Sequence, residues 1–493
     1  MGTSLPTPRL HFKCARAITW TAVLLYGCAV GPDYVRPPVA TPAAYKETQG
    51  WKQAAPRDDK PRGNWWEVFN DPELNALVTQ VAISNQTIKA AEAQVRAAQA
   101  LTDQARAAFF PVVSGNAALT RSGGRPSVSG GSVNSTGGAG GSNSYNASLN
   151  ASWEIDLWGK IRRTVEASEA GAQASVGDLG AAELSAQATL AEDYFMLRAQ
   201  DAQIGLLNDT VKEYEKSLQL TRNQYAVGVA GRADVVLAET QLKSTQAQSI
   251  DAMVLRAQLE HAIAILVGKP PAEFSIAVAP VPTAFPSVPV ALPSDLLERR
   301  PDIAAAERRA AAANAQIGVA EAAFFPSLTL SATGGFQSTL LSKLFTLPSR
   351  YWSLGPDLVE VIFDAGLRRA QTDQAIATYD QSVATYRQTV LTAFQDVEDN
   401  LAALRILEQE AAVQDEAVKA ARESVTITLN QYRAGTVNYL SVVVVQATLL
   451  TNERAALTIH GERLTDSAAL IKALGGGWSE APAIADDAVQ PKG

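Results

Sequence analysis

The residue with the clearest reactive context is Cys28, which ends the tetrapeptide Leu25-Tyr26-Gly27-Cys28. Basic Arg9, Lys13 and Arg16 precede a mostly apolar stretch, residues 17–26, that is too short to span a bilayer comfortably. This arrangement resembles a bacterial lipobox, in which the thiol is diacylated and the chain is cut before it. Cys14, the only other cysteine, lies within the leader, so Cys28 has no disulfide partner in an oxidising compartment. A covalent diacylglycerol with an N-acyl lipid on Cys28 is the modification expected, and no other cofactor. A plain secretory signal with an incidental cysteine is the alternative.

No other stretch offers catalytic chemistry. His11, His261 and His460 are scattered, and neither a Gly-rich phosphate loop with its Lys nor a His-Glu-x-x-His motif occurs. The expectation is therefore no catalytic residue, no metal site and no enzyme. Loss of the three leader cations takes the formal charge from −8 to −11. An acidic chain of this kind presents no electrostatic footprint for nucleic acid.

Mean hydropathy is only −0.03, and no run of eighteen apolar residues appears, which argues against a helical membrane protein. Residues 31–64 carry six prolines without periodicity and read as an extended arm leading away from the lipid. Trp65, Trp66 and Phe69 anchor a short segment, and Asp71-Pro72 starts a helix with Asp as N-cap. An Ala/Gln-rich helical stretch continues to Ala108.

The phrase Ala-Phe-Phe-Pro occurs twice, at 108–111 and 323–326. Proline ends a helix and biases the residue before it toward extended geometry. After Pro111, Val113, Gly115, Ala117 and Leu119 alternate with more polar neighbours. A Gly/Ser-rich loop, 122–143, leads to the cleanest alternation in the chain, with Tyr145, Ala147, Leu149, Ala151, Trp153 and Ile155 on one face. The second copy repeats the plan: Leu328, Leu330, Ala332 and Gly334, a loop around 337–350, then Tyr351–Asp364, where Pro356 interrupts the ladder. Alternation of this length suits a membrane barrel strand, and a half-exposed hairpin is the alternative reading of either strand alone. Trp153, Tyr351 and Trp352 lie where interfacial aromatics are expected, with a packing role as the alternative.

Each hairpin precedes a very long helical pattern. Residues 367–433 lack Gly and Pro entirely, and the equivalent run from Lys160 reaches about Ala226. Sparse large apolar residues give a lone helix of this kind no adequate core, so it needs neighbouring helices. Both end at Asn-Gln-Tyr turns closed by Gly228 and Gly435, and return helices follow from Asp234 and Tyr439. The expected organisation is a leader (1–27), a lipidated arm (28–70), a first repeat (71–267), a connector (268–300), a second repeat (301–474) and a flexible tail (475–493). Four strands cannot close a membrane barrel, and an open edge cannot remain in lipid. Several identical chains must therefore combine; three would supply twelve strands.

Cys28-Ala29-Val30-Gly31-Pro32-Asp33-Tyr34 with Pro37-Pro38, Trp65-Trp66, both Ala-Phe-Phe-Pro corners, Glu298-Arg299-Arg300-Pro301-Asp302-Ile303 and the Tyr-x-x-Gly turns together resemble the outer-membrane efflux lipoproteins of the NodT/OprM group, relatives of TolC. The resemblance covers nearly the whole mature chain. It implies an α+β membrane protein: a homotrimer with a 12-stranded barrel, four strands per chain, continuous with a long α-helical periplasmic barrel. It further implies passive export of small molecules such as drugs, delivered by an inner-membrane efflux pump through a periplasmic adaptor (membrane fusion) protein. Ala29 after the cysteine, in place of an inner-membrane-retaining Asp, points to outer membrane lipid. A TolC-like duct for protein secretion and a periplasmic coiled-coil structural or adaptor protein are the rivals.

The same resemblance makes the turn Tyr432–Val444 a periplasmic gate, with Leu440 and Val444 facing the lumen, and makes the tips at Gly228 and Gly435 the adaptor-docking turns. Relatives often carry an aspartate ring at the position of Val444, and TolC another at that of Ser441. This chain has neither acid, which suggests hydrophobic closure that gates partly by dewetting. Ordinary packing between helices is the alternative role for Leu440 and Val444. Asp234, the first-repeat match to Ser441, could serve as an N-cap.

Overall fold

The computed structural model of the chain describes residues 29–47, 64–123, 142–283, 285 and 299–476. The leader, Cys28, part of the arm, most of the Gly/Ser-rich loop, half of the connector and the tail from 477 lie outside these residues. After a 3-10 turn at Trp65–Phe69 come α1 (Pro72–Ser84), α2 (Gln86–Ala107), β1 (Val112–Ser122), β2 (Ser142–Ile155), α3 (Lys160–Ala226) and α4 (Arg232–Leu266). The second half gives α5 (Pro301–Ala322), β3 (Ser327–Ser338), β4 (Arg350–Val359), α6 (Leu367–Arg433) and α7 (Tyr439–Ala473). α3 and α6 each contain 67 residues, which corresponds to about 100 Å of helix apiece.

The long helix from Asp71 breaks once, at Asn85. Asp71 caps α1 by accepting from the Glu73 and Leu74 amides, as the Asp-Pro pair implies. Asn85 then adopts extended geometry; its side chain accepts from the Thr87 and Ile88 amides and donates to the Leu266 carbonyl. The kink is thus a second N-cap tied to the end of α4. It is invisible in the apolar spacing because Val81 and Ile88, on either side of the break, stay seven residues apart, two helical turns.

The chain forms two compact units. One holds the sheet, in Arg96–Gln173 and Glu307–Ala384, with the described residues up to Pro37. Its four strands form an antiparallel meander in the order β1-β2-β3-β4, so β2 and β3, distant in sequence, are direct neighbours. Pro356 lies in β4, at an edge of this sheet, where a missing amide proton is tolerated. The arm is anchored here: the Val30 amide donates to Trp158 O, Asn314 donates to Pro32 O, and the Tyr34 hydroxyl donates to Glu307 at 2.7 Å.

The other unit, Pro38–Val95, Ala174–Ala306 and the chain from Thr385, is helical. Trp65, Trp66 and Phe69 pack with Leu74, Leu190 and Phe195 in its largest apolar cluster. Tyr45 from the arm packs against Ile303, Tyr386 and Val390, so this part of the arm docks on the helices instead of acting as a simple spacer. Arg198, fully buried near the middle of α3, donates to Glu73, Asp201 and the Ala277 carbonyl. Arg256 binds Asp201 and the Ile276 carbonyl, and Glu260 accepts from the Ile276 amide. These charges satisfy the backbone of the proline-rich connector, which has no ladder of its own.

Candidate functional site

The sheet register sorts the side chains by polarity. One face carries the rows Gly115–Leu149–Gly334–Trp352, Val113–Ala151–Ala332–Leu354 and, below them, Trp153–Leu330–Pro356 and Ile155–Leu328–Leu358. The opposite face carries Ser114–Asn150–Thr333–Ser353 and Asn116–Ser148–Gly335–Tyr351. Thr333 donates to Asn150 at 2.9 Å, and Asn146 donates to the Tyr351 hydroxyl at 3.0 Å across strands. A period of two in each strand would suffice for one polarised strand; the register makes four of them agree. Tyr351 therefore belongs to the polar face and not among the interfacial aromatics expected from sequence. Trp352, 74% exposed, stands on the apolar face.

Both Phe-Phe-Pro corners are fastened by donors from the elements beside them. The Trp153 indole donates to the Phe109 carbonyl at 2.9 Å, and the Trp158 indole donates to the Pro326 carbonyl at 2.8 Å while stacking on Phe325. Arg368 reaches the Ala323 carbonyl and lies over the Phe324 ring. Asp156 caps α3 through the Ile161 and Arg162 amides. Asp364 does the same work before α6, accepting from the Gly366 amide and pairing with Arg368, whose hydrogen bond holds this carboxyl below the usual carboxylate range.

At the far ends of the long helices, Gly228 and Gly435 take φ values of +79° and +73°. Their amides bond back to the Tyr225 and Tyr432 carbonyls, closing each helix in the left-handed conformation that only glycine adopts without strain. Leu440 and Val444 lie at the start of α7, 54% and 55% exposed. Tyr432 is different. It is buried against Tyr439, with ring centroids 5.4 Å apart, and its hydroxyl bonds to Thr221. It thus lies inside the helix packing, away from the exposed surface of Leu440 and Val444. Asn438 caps α7, accepting from the Ser441 amide and hydroxyl. Asp234 occupies the third position of α4 and accepts from the Gly231 amide, so Gly231, and not Asp234, is the N-cap.

Sequence reading missed the cluster that surrounds Tyr432. Tyr214, Leu218, Val235, Leu242, Tyr439 and Val442 pack there; Tyr439 donates to Ser217, and Gln241 to Tyr214. Burial pushes the hydroxyls of Tyr214, Tyr432 and Tyr439 above their ordinary range. The shared Asn-Gln-Tyr phrase marked only one of the three tyrosines, because the other two sit on different helices.

His261 is exposed on α4, whereas the His460 ring meets the Pro282 carbonyl and Phe285. The two histidines have different surroundings. Among the described residues no group of His, Cys, Asp and Glu side chains is arranged to hold a metal ion. Cys28 lies outside the described residues, but Ala29 beside it is in close contact with Gly159, at the start of α3 next to the end of β2.

A family model described as outer membrane efflux protein matches residues 77–269 and 292–476. The chain is 33% identical over 476 residues to the probable efflux pump outer membrane protein TtgC of Pseudomonas putida, covering 95% of this chain and 96% of that protein. It is 31% identical over 460 residues to the pyoverdine export outer membrane protein OpmQ of Pseudomonas aeruginosa, covering 92% and 95%. Among solved structures, the outer-membrane channel OprN superposes with a TM-score of 0.84 at 32% identity, covering 92% of this chain and 100% of that one. The open state of the Neisseria gonorrhoeae MtrE outer membrane channel gives 0.79 at 30% identity, covering 92% and 99%.

Proposed function

The chain belongs to the outer membrane efflux protein family, and on that premise we propose that it is the outer-membrane channel of a tripartite efflux system. The observation that carries this reading is the register of the sheet, which turns one apolar face and one polar face along all four strands. Such a sheet suits a wall between lipid and water. β1 and β4 have no further strand beside them among the described residues, and lipid cannot satisfy their free backbone groups. Three chains, edge to edge, would close twelve strands around a polar lumen. Small molecules, including drugs, would pass down this lumen after an inner-membrane pump delivers them through a periplasmic adaptor. The chain supplies a route and no chemistry.

Two finer parts belong to the same proposal. Cys28 carries the diacylglycerol and N-acyl lipid, a reading supported by the contact of Ala29 with Gly159 near the end of β2. Leu440 and Val444 line the periplasmic gate with apolar surface, the Tyr432 cluster behind them holds the helix ends together, and the turns at Gly228 and Gly435 meet the adaptor. Reconstitution of purified protein into planar bilayers, with mass measurement of the assembly, tests the whole. Discrete pores from a three-chain assembly are expected; a bilayer without pores would overturn the channel reading.

A further inference from the structure

The apolar face of the sheet is not uniform. A groove of about 780 Å³ opens between two register rows, with Gly115 and Gly334 in its floor, Leu149, Phe345 and Trp352 along it, and Arg350 at one end. Leu149 rises between these two glycines in the row, so the floor dips on either side of it, where there is no side chain. A Cβ at Gly334 would meet nothing within 4 Å, and one at Gly115 only Leu149 Cδ2 at 3.7 Å. Phe345, from the connection between β3 and β4, packs edge-on against Phe336 with centroids 5.6 Å apart, which raises one wall above the sheet.

Arg350 pairs with Phe336 in the register and so stands on the apolar face. Among the described residues no carboxylate pairs with it. Arg121 stands on the same face at the same end of the sheet, one row beyond the pair Leu119–Tyr145. From Arg350 to Leu358 the strand advances about 26 Å, which a barrel tilt of about 40° reduces to about 20 Å of height, most of the roughly 25 Å typical of an apolar band. Arg350 therefore lies toward the edge of the band opposite the Phe-Phe-Pro corners. A lipid-facing arginine is strongly disfavoured at mid-membrane and tolerated near the headgroups. There its planar guanidinium matches a phosphate with two parallel hydrogen bonds.

We propose that this groove binds a phosphate-bearing membrane lipid, with one acyl chain over Gly334, between Leu149 and Trp352, and the phosphate held by Arg350. The proposal rests on the membrane-barrel reading above. Charge complementarity selects an anionic lipid over a zwitterionic one, and the glycine floor gives a linear chain the depth that neighbouring rows deny it.

The test uses the full-length assembly, purified in detergent and examined by native mass spectrometry with added dioleoylphosphatidylglycerol or dioleoylphosphatidylcholine. Wild type should retain about tenfold more of the anionic lipid, as for a charge-assisted pair. Arg350→Gln should reduce that preference to near unity, and Gly334→Leu should lower retention of both lipids; neither should change the mass of the assembly or its conductance in bilayers. An unchanged preference in Arg350→Gln, or unchanged retention in Gly334→Leu, would overturn the lipid site. If those results come from protein that forms pores, the site alone fails. Protein that forms no pores would overturn the channel reading and this proposal together.

Discussion

At Val444 a single side chain decides the character of the proposed gate. With Leu440 it presents exposed apolar surface at the start of α7, and repeated around a symmetric pore such surface favours dewetting over ion binding. Val444→Asp should introduce a carboxylate ring and make the closed-state current sensitive to divalent cations. Single-channel recording with and without added divalents checks this; identical currents in both proteins would remove Val444 from the lumen. Cys28 is the other residue whose chemistry stands alone. Cys28→Ser should abolish incorporation of labelled fatty acid, and label persisting in the variant would exclude the lipobox. Tyr432, by contrast, acts from within the packing, and its buried hydroxyl makes the tip a polar-satisfied core.

Helices and strands meet at the duplicated corners, and the structure explains why each corner needs its proline and its neighbours. The turn after a helix leaves carbonyls without intrahelical donors. At these corners Trp153, Trp158 and Arg368 supply the donors. Trp158→Phe keeps an aromatic ring beside Phe325 but removes the donor to Pro326, and should cost about 1 kcal/mol of stability. Urea unfolding followed by sheet-specific circular dichroism would register the loss; a change within error would mean that water replaces the indole. The corner motif was readable in sequence, but its donors were not, since Trp158 lies 168 positions from its acceptor.

The assembled molecule inherits features that one chain cannot resolve by itself. Leu391 and Val413 on α6 are 55% and 69% exposed, on a helix too sparsely apolar to stand without neighbours. Carboxyls on α3 and α7 add a pH response. Burial pushes up Glu183, Glu192, Asp193 and Asp466, with Glu92 reinforcing it at Glu183 and Asp193 and Asp466 at Glu192, where Lys472 opposes it. A folded-state pKa above the unfolded one means that the native protein binds more protons in the interval between them, so stability rises as pH falls through that interval. Partly buried Glu239 and Asp364 are shifted the other way, by Arg222 and Arg368, and lose stabilisation only on further acidification. The thermal midpoint should therefore increase as pH falls from neutral toward the ordinary carboxylate range. Glu192→Gln should raise the midpoint at neutral pH and flatten the response; a midpoint that falls steadily from pH 7 downward would show that the paired carboxylates dominate.

By itself the sequence determined the elements: two repeats, strands of period two after each Phe-Phe-Pro corner, two helices of 67 residues free of proline, and glycine-closed turns. These are local consequences of backbone chemistry and side-chain spacing, and they need no knowledge of distant residues. β2 ends at Ile155 and α6 spans Leu367–Arg433, as expected, whereas β4 stops at Val359, short of the expected Asp364. Only the tertiary structure decided which residues meet. The pairing of β2 with β3, the break at Asn85, the polar orientation of Tyr351, the burial of Tyr432 against Thr221 and the charged clasp around the connector all join positions far apart in sequence. Such contacts depend on register and helix packing, which composition does not encode, because many arrangements share the same pattern and only simultaneous burial of all the apolar faces selects one.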